Sequence, residues 1–105
     1  MTGFITKASV AMALFMLPCS LRAQDVTVVL ESGLGDGAKV WDRLRRKMPG
    51  VPVFAYDRPG YGKTPATHTP RDPCTIAREL HERLAAAHIA PPYILVGHSL
   101  GGQYA

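Results

Sequence analysis

Ser99 stands at the centre of Gly97-His98-Ser99-Leu100-Gly101, with Gly102 directly behind. A serine flanked by glycines at this spacing has the composition of a nucleophile elbow, G-x-S-x-G, in which a sharp turn lifts the hydroxyl clear of its surroundings. The chemistry open to such a hydroxyl is attack on an electrophilic carbonyl, and the spacing has a steric reason. The serine backbone is strained and the chain on either side passes too close to tolerate a Cβ, which explains Gly97 and Gly101. The same turn aims the Leu100 N–H at the spot where a tetrahedral oxyanion would form, at the positive end of the helix that follows.

Such a turn requires a strand before it and a helix after it, and the flanks read that way. Tyr93 to Val96 is short and apolar, and Gln103-Tyr104-Ala105 opens a helix. Upstream, Val26 to Leu30 is a β-branched run without clean alternation, as in a strand covered on both faces. Glu31 to Gly37 is too rich in glycine for regular structure. A helix is expected from about Ala38 to Lys47, with Val40, Leu44 and Met48 inward and Arg43, Arg45, Arg46 and Lys47 in water; Pro49-Gly50 stops it. A second strand, Val51 to Tyr56, leads into Asp57-Arg58-Pro59-Gly60-Tyr61-Gly62 and a polar loop. The next helix has Asp72 as N-cap and Pro73 at its first position, with Ile76, Leu80 and Leu84 as its inward stripe. Alternating strands and helices predict an α/β fold with a parallel sheet and right-handed crossovers.

Three segments, each just after an expected strand, resemble the α/β-hydrolase superfamily in its serine-nucleophile branch. P-P-Y-I-L-V-G-H-S-L-G-G resembles its elbow, Ser32-Gly33-Leu34 its oxyanion loop, and Asp57 to Gly62 its D-x-P-G-x-G turn. Gly33 falls on the family's glycine, while Ser32 replaces the usual histidine. The resemblance runs from about Val26 to Ala105 and implies acyl transfer. Ser99 would be the nucleophile, the N–H groups of Leu34 and Leu100 the oxyanion hole, and Gly33, Gly97, Gly101, Gly102 and Asp57 structural supports. The implied substrate is a small molecule with an ester, thioester, lactone or amide bond, and no cofactor is needed. An epoxide-opening or dehalogenating enzyme of this superfamily would carry an aspartate in place of Ser99.

The family's triad follows the order serine, acid, histidine. Residues 100–105 contain neither an acid nor a histidine, and His68, His81, His88 and His98 are not placed to act as the base. The expectation is therefore the N-terminal part of an α/β-hydrolase domain, truncated after the elbow, weakly stable and without turnover by itself.

A rival reading takes Gly33-x-Gly35-x-x-Ala38, with Asp57 a little over 20 residues on, as a dinucleotide fingerprint of a Rossmann unit. Against it, Glu31 and Ser32 intervene between strand and glycines. A phosphate-binding loop ending in Gly62-Lys63-Thr64 fails, because Asp57 holds the position of its first glycine. A further alternative is a non-catalytic remnant that keeps the elbow.

The whole chain has 105 residues, room for one domain, and its first 23 have the order of a secretory leader: Lys7, then an apolar run from Ala8 to Leu17, then the small and polar stretch ending at Ala23. Ten residues are too few for a bilayer that needs about 20. Division into a signal peptide, 1–23, and a hydrolase portion, 24–105, implies a secreted or periplasmic protein. Loss of Lys7 and Arg22 lowers the formal charge from +4 to +2, too slight an excess to call for nucleic acid. Cys74 would be left without a partner thiol, and no spacing of histidine, cysteine and acid marks a metal site.

Overall fold

A computed structural model describes residues 26–105, so the expected leader lies outside the described residues. Strand β1 spans Thr27–Glu31, β2 spans Val53–Ala55 and β3 spans Tyr93–Gly97. They form a parallel sheet in the order β2-β1-β3. Among the described residues, β1 is thus flanked on both sides, and its Val28, Val29 and Leu30 are all buried, as a run without alternation requires.

Helix α2, Pro73–Ala86, supplies the main packing on one face. Its Leu80 and Leu84 join Val29 and Tyr56 in a core cluster, with Phe54, Ile89 and Tyr93 against it. Ile76, on the same stripe, is also buried. Both ends of α2 are fixed by local chemistry. At the start, the Asp72 carboxylate accepts from Thr75 N–H at 3.0 Å and from Thr75 Oγ1 at 2.6 Å, and Pro73 follows where its missing N–H costs nothing. At the finish, Ile89 N–H reaches Leu84 O at 2.9 Å and His88 N–H reaches Ala85 O at 3.0 Å, the pair of bonds of a Schellman motif. His88 occupies its left-handed position with φ 57°, a conformation that glycine adopts at lower cost.

The segment between β1 and β2 departs from expectation. In place of one helix over Ala38 to Lys47 there is a 3-10 turn, Ala38–Trp41, and a five-residue helix α1, Asp42–Arg46. Val40 and Leu44 are exposed instead of inward. The reason is that the segment is anchored by polar bonds. Trp41 Nε1 donates to Ser32 Oγ at 2.7 Å, and Ala38 N–H donates to Asp57 Oδ1 at 2.7 Å. The short turn lies where those bonds hold it, and of the apolar series only Met48 is half-buried. The basic residues Arg43, Arg45, Arg46 and Lys47 are solvated, as expected. Strand limits also shift: Glu31 belongs to β1, and β2 is shorter than Val51 to Tyr56 because Pro52 offers the ladder only its carbonyl, taken by Val28 N–H at 2.9 Å. After the elbow the chain forms a 3-10 helix, Ser99–Gln103.

Two substitutions test the ends of α2. His88→Gly should raise the urea midpoint, by up to ~1 kcal/mol in stability, through relief of the positive φ. Asp72→Ala should lower the midpoint at neutral pH. Hydrogen bonds from Thr75 hold the Asp72 carboxyl below its ordinary range, so its contribution is present above the unfolded value and is lost as pH falls through the folded one. The difference between Asp72→Ala and the parent should therefore narrow in acid unfolding curves as pH falls below the ordinary carboxylate range.

Candidate active site

The register of β1 on β3 sets Glu31 opposite Gly97, so the two strands finish side by side. The chain leaves β1 for β2 on one flank and returns to β3 on the other, which makes the carboxyl ends of β1 and β3 the switch point of the sheet, where open α/β sheets form their crevice. Both sequence motifs start there. His98 N–H extends the ladder to Glu31 O at 3.0 Å, and Ser99 then turns with φ 54°, a strained value for a residue with a side chain. Ser99 is exposed. A Cβ on Gly97 would lie 2.6 Å from Gly102 N, and one on Gly101 would meet the Glu31 carbonyl and lie 2.7 Å from Ser32 O. Both positions thus exclude a side chain. Gly102 differs, since a Cβ there meets open space and only its own backbone is needed close to Gly97.

The loop after β1 abuts the elbow. An added Cβ on Gly33 would lie 3.5 Å from Ser99 Cβ and 3.3 Å from His98 Nδ1. Asp36 N–H closes a turn onto Gly33 O at 3.2 Å, and Gly35 supplies the positive φ of 79° at its third position that a type II turn requires. Gly35 N–H is taken by Tyr61 Oη at 3.3 Å. Among the described residues, the N–H groups of Leu34 and Leu100 have no acceptor, and the two residues line one cavity of about 350 Å³ with Arg58, Tyr61, Arg71 and Tyr104. Ser32, in the place of a histidine, is buried; its hydroxyl accepts from Trp41 and donates to Gly37 O at 3.2 Å.

Asp57 ties segments together. Its carboxylate caps Ala38 N–H and packs where a Cβ on Gly37 or Gly62 would collide with it. That contact also argues against dinucleotide binding through Gly33, Gly35 and Ala38, because the N-terminus that would receive a pyrophosphate already holds a carboxylate.

Two residues unassigned from sequence prove central. Arg58, 4% exposed, donates from Nη1 to Ser32 O at 2.6 Å and to Glu31 Oε2 at 3.3 Å, and from Nη2 to Gly33 O at 2.8 Å. Tyr61 and Tyr104 present ring faces to it, with centroids 4.8 and 5.2 Å from Cζ. Burial raises the proton affinity of Glu31 above the usual carboxylate range, against the pull of Tyr56 and Arg58. Burial, then Glu31, pushes the Tyr56 hydroxyl well up. Glu31 Oε1 and Tyr56 Oη nevertheless make no hydrogen bond of good geometry. The available signal was a pair of opposite charges, Glu31 and Arg58, each just beyond an apolar run.

Among the described residues no hydrogen bond involves Ser99 Oγ, and the His98 ring stands edge-on to Trp41 at 6.4 Å. His68 lies on the loop before α2, His81 on α2 itself and His88 at its end. The described residues hold no group of three metal-ligating side chains, and none of their helices is long and apolar enough to cross a membrane.

Comparison with known proteins agrees with this arrangement. Residues 28–105 match the model of the alpha/beta hydrolase family. The chain is 36% identical over 77 residues to the Bacillus subtilis protein named "Uncharacterized protein YqjL", covering 72% of this chain and 30% of that one. It is 38% identical over 82 residues to the Yersinia enterocolitica protein named "Putative carbamate hydrolase RutD", covering 73% and 28%. It is 31% identical over 75 residues to an "AB hydrolase superfamily protein" of Gibberella zeae, covering 70% and 23%. The chain therefore spans less than a third of the length of these relatives. No solved structure matches it. With an exposed serine on a strained turn, a glycine loop against it and a family match across both, this chain belongs to the α/β-hydrolase family.

Proposed function

We propose that the chain carries the nucleophile and oxyanion hole of a serine hydrolase. The observation that supports this most is the contact between the Gly33 loop and the Ser99 turn, with the N–H groups of Leu34 and Leu100 both without acceptors beside an exposed serine. Ser99 Oγ attacks the substrate carbonyl carbon as its proton passes to a histidine base. The carbonyl oxygen becomes an oxyanion held by the two N–H groups, and collapse expels the leaving group with that proton and leaves an acyl-serine. Water then adds by the same route and releases the acid.

In the family's order the base and its carboxylate partner follow the elbow, and the match spans only 30% and 28% of the Bacillus and Yersinia relatives. The substrate is a small molecule with an ester, thioester, lactone or amide bond; the name of the Yersinia relative adds carbamates, which present the same carbonyl. Export rests on the leader-like residues 1–23 alone.

A fluorophosphonate probe applied to the full-length protein should label Ser99, and Ser99→Ala should abolish both labelling and p-nitrophenyl ester turnover. Turnover that survives Ser99→Ala would remove the reading. Residues 1–105 by themselves should show no turnover, since among the described residues no histidine is hydrogen-bonded to Ser99.

A further inference from the structure

We propose that Arg58 is a positioning residue for the oxyanion donor at Leu34, its buried guanidinium setting both the direction and the strength of that N–H. The proposal deepens the hydrolase reading and rests on it. The Gly33 carbonyl, which accepts from Arg58 Nη2 at 2.8 Å, belongs to the same peptide unit as the Leu34 N–H. A trans peptide is planar, and its C=O and N–H point opposite ways, so fixing one fixes the aim of the other. The second bond, Nη1 to Ser32 O at 2.6 Å, anchors the preceding peptide, so the loop cannot swivel about a single contact.

Charge adds to geometry. A cation on the Gly33 oxygen draws electron density along the peptide and makes its N–H a stronger donor, an effect enlarged where water is excluded. Arg58 is buried, and its guanidinium is held by the faces of Tyr61 and Tyr104.

An arginine serving only as an ion-pair partner would spend its fork on the carboxylate, in two parallel bonds. Here the contact to Glu31 is the longest of the three, at 3.3 Å, and Glu31 Oε1 is left without a partner. The short bonds go to the two carbonyls of the oxyanion loop. Lysine offers one nitrogen where Arg58 uses two, Nη1 for Ser32 O and Nη2 for Gly33 O, so it does not reproduce this fork.

The test uses the full-length protein with a p-nitrophenyl ester and a boronic acid as transition-state mimic. In Arg58→Lys, kcat should fall ~10- to 100-fold with KM within about threefold, below the ~100- to 1000-fold that follows loss of an oxyanion donor outright. Boronate affinity should fall in step with kcat, and the Leu34 amide resonance should shift. Because Arg58→Met would strand Glu31 in the interior, the double variant Glu31→Gln with Arg58→Gln, which leaves no buried charge, should be measured beside it and should show the same loss. A folded variant with unchanged kcat, with a rise in KM alone, or with an unmoved Leu34 resonance would overturn the role of Arg58 while Ser99→Ala still abolished turnover. Turnover that survived Ser99→Ala would instead overturn the hydrolase reading, and this proposal with it.

Discussion

The site depends on parallel pairing of β1 with β3 in the register that sets Glu31 beside Gly97. That register brings the ends of two strands, far apart in sequence, to the same edge, and the hydrogen bond from His98 N–H to Glu31 O carries it one residue into the turn. Gly101 then rests over the carbonyls of Glu31 and Ser32, a seat that admits no side chain. A strained residue persists only where its surroundings over-determine it, and these contacts on both sides of Ser99 do so. A slip of one residue would turn every side chain of β3 to the other face and lift the elbow off β1.

Beneath that seat lies the least economical part of the interior, a carboxylate, a guanidinium and a phenol in one region. Burial is the dominant influence on Glu31 and outweighs the nearby cation, since its carboxyl is raised and not lowered. A buried ion pair adds little net stability over apolar residues of similar volume, whereas removing one partner costs about 3–5 kcal/mol. Stability is thus a weak reason for Arg58 to be there. Its bonds to two loop carbonyls are a stronger one, because they convert a flexible glycine-rich segment into a fixed wall beside Ser99.

Some of this was legible in the sequence, and particular residues explain the limits. The stripe of Ile76, Leu80 and Leu84 and the Asp72 cap were readable because helix periodicity and capping are local. The elbow was readable because close approach excludes all residues but glycine at 97 and 101. The helix over Ala38 to Lys47 was misjudged because Trp41 and Ala38 are held by Ser32 and Asp57, partners 9 and 19 residues away whose polar bonds leave no trace in apolar spacing. Arg58 escaped for the same reason, as its acceptors are carbonyls that any residue carries. Gly33 and Gly35 fit two fingerprints at once; the contact with Ser99 and the positive φ of the turn separate their roles.

The sheet also has an unfinished side among the described residues. β3 has only β1 beside it, and Ile94 and Leu95, which point to opposite faces, are 53% and 46% exposed. An apolar strand open along one edge and only partly covered on its faces is ordinarily flanked by further strands and helices. The relatives, of which the match spans 23 to 30%, have ample length for that. On the β1 side the Gly33 loop already meets the Ser99 turn, and Arg58 bonds the loop carbonyls of Ser32 and Gly33. The Gly33 loop and the Ser99 turn are accordingly a unit built on the paired ends of β1 and β3.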